Sequence, residues 1–432
     1  MAEPIRILQV VRPAEGGIQT HVVGLARHLP EPRFAVMVAG ALGREFQIAL
    51  SKAGITWANV AIPSEPAPRA LWQAAHQLRR LIASQCPHIV HAHGYLAGLP
   101  AAWALRPLDR RPPLVLTAHV LPKPGSGEAK ASRLERWAYR WLFSRIDRGI
   151  AVSNTIADAI QEYSSPGLWS VIHNGIDVSA FRRRVPAGTK RRELGVDPAA
   201  AVVGVVARLS EEKGVDVFLR AASILASELP NVDFVVVGDG PQREALEMMA
   251  HDLHLTGQLL FVGRRRDVPE ILGAIDVLVV PSREESFGLV ALEGVAAGVP
   301  TIASEVAGLR EILEGVDLVK FVSPDDPRAL ARALKRELTT ISLDEVADDD
   351  APVALATGEL MRVAEMLVSE TEFNIDTPGL DRDAQTAADQ GTTRREEVLA
   401  RFDIRNMVRG TIALYEDVLK QGSSGSHIAT TD

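Results

Sequence analysis

The sequence predicts an α/β protein of two Rossmann-like domains, each built on a doubly wound parallel sheet. Three observations predict it. Short apolar runs such as Val277–Val280 are continuous rather than alternating, as in strands covered on both faces. These runs take turns with segments that read as helices, and repeated βα units call for parallel pairing. The rhythm breaks at a proline- and arginine-bearing stretch, Phe181–Pro186, and then resumes. At 432 residues, the chain can bury two cores of ordinary size.

The first domain is expected over 1–180. Strands read at Ile5–Val11, Phe34–Ala39, Trp57–Ile62, His88–His93, Leu114–Val120, Gly149–Ser153 and Trp169–Ile172. Helices read between them at Gly17–Leu29, Glu45–Ala53, Arg69–Ser84, Tyr95–Leu105, Glu128–Phe143 and Asn154–Tyr163. The second domain is expected over 181–400. Its strands read at Val202–Ala207, Asp233–Val237, Leu259–Val262, Val277–Val280, Thr301–Ala303 and Lys320–Val322, with a helix at Asp326–Leu338. In open α/β sheets ligands bind beyond the C-terminal ends of the strands, so two opposed sheets would give a cleft with a binding edge on each wall. The stretch 341–393 is different in character, with Asp348, Asp349 and Asp350, a helical pattern at Thr357–Val368 and the polar run Asp381–Thr393. It reads as an insertion, partly disordered. A closing helix is expected within 401–420, at Arg405–Leu419, and a disordered tail over 421–432.

Composition narrows the function. Apolar residues at 47% and charged residues at 24% are ordinary for a soluble globular protein. A net charge of -8 disfavours nucleic acid as the main partner. Any phosphate ligand must then be held by a local cluster of cations. One cysteine, Cys86, allows no intramolecular disulfide and suits a reducing cytosol. Met1–Gln9 is too short and too polar for a signal peptide. No apolar run reaches the roughly 18 residues of a membrane span. A cytoplasmic protein is expected, with contact at the inner face of the membrane left open.

The stretch VLVVPSREESFGLVALEGVAAG organises the second half. It reads as a buried strand, a polar loop with Glu284, Glu285, Ser286, Phe287 and Gly288, and a helix carrying Glu293. A glycine where strand passes into helix lets a ligand approach the backbone. The helix start aims N–H groups at that ligand, and the dipole favours an anion. Carboxylates for hydroxyls beside a helix start for phosphate suit a sugar joined to a diphosphate. Glu285 and Glu293 do not read as a glycosidase pair. Such pairs stand about 5–5.5 Å or 6.5–9.5 Å apart across the sugar, eight helical residues span about 12 Å, and both carboxylates come from one element.

Arg208 and Lys213, in ARLSEEKG, follow the strand Val202–Ala207 at its ligand-facing end. Cations fixed there would stabilise charge on a departing diphosphate, a term that is often the largest in catalysis. Gly16 and Gly17 follow the first strand and open the first helix, where a loop without side chains can lie against a ligand. His119 ends a strand at a binding edge. His91 and His93, in IVHAHG, sit comparably; as a metal pair they have nothing nearby to complete a set of ligands, so His93 is expected to line the cleft and His91 to be structural. Gly238 and Gly240, in VVVGDGPQREAL, are not a dinucleotide fingerprint. Arg243 replaces the third glycine, and no acidic residue stands about 20 residues on.

ESFGLVALE followed by AAGVP resembles the E-x7-E signature of retaining glycosyltransferases of family 4, which have the GT-B fold. The resemblance covers roughly Ile5 to Leu338 plus the closing helix. Members usually pass straight from the position of Leu338 to the last helix, so 341–393 departs from the pattern. The resemblance implies a diphosphate clamp at Arg208 and Lys213, with Glu285 on the donor sugar and Glu293 on the ribose hydroxyls. It also implies backbone N–H contacts from Phe287, Gly288 and Leu289, with Ser286 in the same donor loop. Gly16 and Gly17 would lie beside the donor phosphate and acceptor, and His119 would contact the donor sugar. Gly238, Gly263 and Arg264 would lie near the nucleotide, and Asn174, Gly175 and Asp177 would form the interdomain hinge.

The reading is a glycosyltransferase that moves a sugar from a UDP- or GDP-sugar to the hydroxyl of a glycan, lipid-linked sugar or metabolite. Configuration would be retained, with no cofactor beyond the nucleotide sugar and no metal. The alternatives are a nucleotide-sugar epimerase of similar fold, which needs no acceptor, and a binding protein that keeps the site without turnover.

Overall fold

A computed structural model describes residues 3–13, 16–108, 110–121, 129–181, 186–347 and 394–424. The chain divides into two compact units, Met1–Ile176 with Phe402–Asp432, and Asp177–Arg401. The polar run at 381–393 and the helix expected at Thr357–Val368 lie outside the described residues.

The first unit contains strands β1 (Ile5–Val11), β2 (Phe34–Gly40), β3 (Thr56–Asn59), β4 (Ile89–His93), β5 (Leu114–Ala118), β6 (Arg148–Ala151) and β7 (Trp169–Val171). They form one sheet in the order β3-β2-β1-β4-β5-β6-β7, and every pair is parallel. Helices α1 (Gly17–His28), α2 (Arg44–Lys52), α3 (Pro68–Gln85), α4 (Tyr95–Leu105), α5 (Ala129–Phe143) and α6 (Asn154–Ile160) make the crossovers. All residues of β4 and β5 are buried, the polar His91, His93 and Thr117 among them, as in strands covered on both faces.

The second unit contains α7 (Ala187–Leu194), then β8 (Ala201–Val206), α8 (Val215–Glu228), β9 (Val232–Val237), α9 (Arg243–Asp252) and β10 (Leu259–Gly263). There follow α10 (Val268–Leu272), β11 (Val277–Val280), α11 (Leu289–Ala297), β12 (Thr301–Ser304), α12 (Ala307–Leu313), β13 (Val319–Val322) and α13 (Pro327–Ala347). A further helix occupies 394–401. The sheet order is β10-β9-β8-β11-β12-β13, again parallel throughout. Its core joins Phe218, Phe234, Val203, Val277 and Leu334.

The last helix, α14 (Ile404–Ser424), belongs to the first unit. Its Ile404, Met407 and Tyr415 pack with Ile7, Leu25, Phe34 and Ile89. The Tyr415 hydroxyl is fully buried and lies 2.6 Å from Nδ1 of His91, whose Nε2 is 2.7 Å from Thr117 Oγ1. An unmet buried hydroxyl would cost about 1–3 kcal/mol. The chain leaves this unit after Ile176 and re-enters at Phe402. There Ile176 N–H donates to Phe402 O, and Ile404 N–H donates to Ile176 O.

Several boundaries differ from the sequence reading. β3 stops at Asn59 rather than Ile62, because Ala61 N–H donates to Gln77 Oε1 instead of continuing the ladder. β5 stops at Ala118, leaving His119 just past the strand end. α7 is absent from the sequence reading, although Pro186 before it is a start signal and Gly195 after it (φ 85°) a stop signal. α13 runs on to Ala347, beyond both Leu338 and the expected insertion start at 341. α14 reaches Ser424, so the tail does not begin at 421, and residues 425–432 lie outside the described set.

Candidate active site

In each sheet the strand order reverses at one place, and loops that diverge there leave a crevice at the carboxyl edge. In the second unit that switch point lies between β8 and β11. The loop after β8 carries Arg208 and Lys213, and the loop after β11 carries Glu285.

These loops are fastened to each other. Arg283 N–H donates to Glu212 O at 2.9 Å. A Cβ built on Gly214 would stand 2.1 Å from Pro281 O, and Gly214 has φ 62°. Only glycine meets both conditions without strain. The Arg283 guanidinium spans Asp216 at 2.8 Å, Asp325 at 2.6 Å and Glu211 O at 2.7 Å. Arg283 was not singled out from sequence, since its partners are distant along the chain.

The fastening brings Lys213 Nζ to 2.6 Å from Glu285 Oε2, with 26% and 15% of the two side chains exposed. Ser282 Oγ lies 3.3 Å from the same carboxylate oxygen. Ser282 was also overlooked; its place three residues before Glu285 was the available signal. The Glu285 backbone is backed by Gly308, where a Cβ would meet Glu285 O at 2.1 Å. Arg208 is exposed on the same loop as Lys213. Glu212 there is partly buried, which opposes its charge. Ser210 Oγ, with Lys213 and Arg208 nearby, nonetheless holds its carboxyl below the usual range.

Gly288 caps α11 with φ 89°, Phe287 is buried, and Ser286 is half-buried. The N–H groups of Gly288 and Leu289 have no acceptor among the described residues. Glu293 lies on α11, partly buried and without a hydrogen-bond partner among the described residues. Burial alone pushes its carboxyl up to about 8.

Gly238 has φ 139°, and a Cβ there would meet Ala207 O at 1.8 Å. Its glycine character therefore has a packing reason, whatever ligand approaches it. Gly263 (φ 70°) accepts from Gly238 N–H at 2.9 Å. Arg264 is exposed, while Arg265 next to it is tied to Asp267 and Glu193.

In the first unit the switch point lies between β1 and β4. Gly16 (φ 66°) and Gly17 are exposed there, and a Cβ on Gly16 would meet nothing within 4 Å. Beside this edge the structure gathers His21, His93 and His119, all buried. The sequence reading set His21 aside and found no further ligand for His93; the fold brings both His21 and His119 to it. His93 Nδ1 is 3.3 Å from His119 Nε2. His21 Nδ1 is 2.8 Å from Asn174 Oδ1. Burial lowers His21 to about 4 against the Asn174 hydrogen bond, and lowers His93 and His119 well below the ordinary value. All three imidazoles are neutral at physiological pH.

Two parallel-sheet α/β domains of this kind make the GT-B fold, and comparison with solved structures gives the same fold. Anabaena Alr3699/HepE in complex with UDP and glucose matches with a TM-score of 0.73 at 20% identity, covering 96% of this chain and all of that one. Sucrose-phosphate synthase from Thermosynechococcus elongatus matches with a TM-score of 0.72 at 20% identity, covering 97% and 100%. Among sequences, the family model for Glycosyltransferase Family 4 matches residues 15–180, and that for glycosyl transferases group 1 matches 200–340. D-inositol 3-phosphate glycosyltransferase of Mycolicibacterium gilvum is 32% identical over 316 residues, 66% of this chain and 68% of that protein. Glycogen synthase of Mycobacterium tuberculosis is 31% identical over 278 residues, 62% and 65%. The chain belongs to glycosyltransferase family 4.

No helix among the described residues is long and apolar enough to cross a membrane.

Proposed function

We propose that the protein transfers a sugar from a nucleoside diphosphate sugar, a UDP- or GDP-sugar, to an acceptor hydroxyl with retention of configuration. The observation that carries this reading is the Lys213–Glu285 pair at the β8/β11 switch point. Lys213 would serve the leaving diphosphate and Glu285 the sugar hydroxyls, and the two stand in hydrogen-bond contact. Arg208 and the open N–H groups at the start of α11 would share the diphosphate charge. Glu293 would take the ribose hydroxyls, with Ser286, Phe287, Gly238, Gly263 and Arg264 around the nucleotide. The first unit, with His119, Gly16 and Gly17 at its own switch point, would bind mainly the acceptor.

The leaving diphosphate would help take the acceptor proton on the face from which it departs, so no carboxylate is required opposite. Cations and a helix end would do at the diphosphate what a metal does in other transferases. Two matched relatives are named for work on an inositol phosphate and on glycogen. Their names support a small phosphorylated polyol and a growing glucan as the first acceptors to try.

The test is a thermal-shift titration with UDP, GDP and ADP, and with NAD as control. Stabilisation grows with ligand over dissociation constant, so a shift with one diphosphate names the base and the donor class to assay. Product analysis by NMR then reads the anomer. A shift with NAD alone, or an inverted product, sinks the reading.

A further inference from the structure

The outer face of α5 has no part in the transfer reaction. Arg133, Arg136, Trp137 and Arg140 are all exposed, at the i, i+3, i+4, i+7 spacing that puts them on one side of the helix. The opposite side is held by packing. Leu142 and Phe143 are buried, Tyr139 meets the ring of Tyr95 at 4.8 Å, and Phe143 meets Trp169 at 5.0 Å. Glu135, the acid of the helix, is half-buried and falls off the arginine face.

That face joins cations to indole rings. Trp137 is 61% exposed. Trp141, one turn on and half-buried, lies with its ring 5.9 Å from that of Trp103 near the end of α4. The exposed guanidinium of Arg145 stands 5.7 Å over the Trp141 ring. Charge is concentrated here against the trend of the whole chain. Residues 129–148 hold six Lys or Arg and two Asp or Glu, while the net charge of the protein is -8. Arg136 stands 3.6 Å from Glu162, but both side chains are more than half exposed, and such a pair yields readily to another anion.

We propose that this face docks the protein on a membrane surface bearing anionic phospholipid headgroups, with α5 lying along the surface. Arg133, Arg136, Arg140 and Arg145 supply the attraction to negative headgroups. Arginines alone would serve a soluble polyanion equally well. The exposed indole among them chooses the lipid, because tryptophan settles where headgroups meet hydrocarbon. At 15 residues and with charges along its length, α5 rests on the bilayer and does not enter it. The helix runs back from the end of β5 to the start of β6, so Trp141 and Arg145 lie towards the amino edge of the sheet. Gly16 and Gly17 stand at the carboxyl edge, and docking leaves that edge uncovered.

The experiment is flotation of the full-length protein with vesicles of phosphatidylcholine alone, or of phosphatidylcholine mixed with phosphatidylglycerol. The proposal expects binding to the mixed vesicles only, weakening as salt is added, with a blue shift of tryptophan emission. Arg136→Glu combined with Arg140→Glu should weaken binding by more than about tenfold, and Trp137→Ala should abolish most of the blue shift. Trp72→Ala, at another exposed tryptophan, should leave binding unchanged. All these side chains are exposed, so melting temperatures should stay close to that of the wild type. Stabilisation by a nucleoside diphosphate should be the same in every variant, which keeps this result separate from the reading of the transfer reaction. Binding to neither vesicle, equal binding to both, or binding that the arginine reversals leave intact overturns the proposal. Retention on heparin without vesicle binding would assign the face to a soluble polyanion and overturns it too.

Discussion

Lys213 and Glu285 lie 72 residues apart in sequence and 2.6 Å apart in space, joined through Nζ and Oε2. The pair has two consequences. It stores a cation and an anion side by side at low cost, because both side chains keep some solvent. It also means that a ligand carrying its own negative charge must compete with Glu285 for the ammonium.

Replacing Lys213 with alanine should therefore separate chemistry from stability. Turnover should fall by about 10²–10³, the size of losing one preorganised donor to developing charge. Melting temperature should move little, since a partly exposed pair is worth only about 0–1 kcal/mol. Activity near that of the wild type would remove Lys213 from the diphosphate site.

Glu285→Gln keeps the shape of the side chain and weakens its attraction for Lys213. Turnover should drop while nucleotide affinity, read by calorimetry with the diphosphate that binds, stays within a few-fold. Loss of nucleotide binding that accounts for the whole fall in turnover would move Glu285 from the sugar to the nucleotide half of the donor.

Gly214→Ala tests the fastening of the two loops. The substitution puts a methyl group against the Pro281 carbonyl at a positive φ. The backbone strain alone is worth about 1–3 kcal/mol. Melting temperature should fall by several degrees, and activity should fall with it, because the β8 loop carries Lys213. An unchanged melting point would show that the loop can shift freely.

Glu293 gives the free protein a pH dependence with a definite sign. Its folded carboxyl titrates at about 8, against 4.5 for the unconstrained group. Between these values the folded state holds a proton that the unfolded state has lost, so stability falls as pH rises through this window. Glu293→Gln should flatten that slope and raise the melting point most at the alkaline end. Parallel curves for the two proteins between about pH 5 and 8.5 would refute the assignment.

Tyr415→Phe should destabilise the protein by about 1–3 kcal/mol, because it strips a buried partner from His91 Nδ1. Urea unfolding of the variant measures this directly. A neutral result would mean that His91 finds another partner.

The fold class was legible because burial on both sides of a parallel sheet writes itself as unbroken apolar runs. β11 begins and ends where its run does, at Val277–Val280, and β1 keeps its expected bounds, Ile5–Val11, although Arg6 and Gln9 interrupt it. Where an edge strand hands its hydrogen bonds to a side chain, as β3 does after Asn59, composition alone carries no mark of the change. The candidate site was legible as residue types at loop positions: a carboxylate before a glycine, or a lysine after a strand. Its contacts were not, because each depends on loops brought together by strand order. Arg283 reads as one more charge in PSREES until Asp216 and Asp325 arrive around it. His21 reads as a helix residue until β4 and β5 bring His93 and His119 beside it.

The division of the chain between units also orders its birth. The second unit is continuous, from Asp177 to Arg401, and every residue of it is synthesised before α14. The first unit begins the chain but lacks Tyr415 and Met407 until the end. During synthesis the later-encoded unit can close first, while the earlier one waits with part of its core uncovered. Truncation from the C-terminal side into α14 would therefore wound the first-made half of the molecule and spare the second.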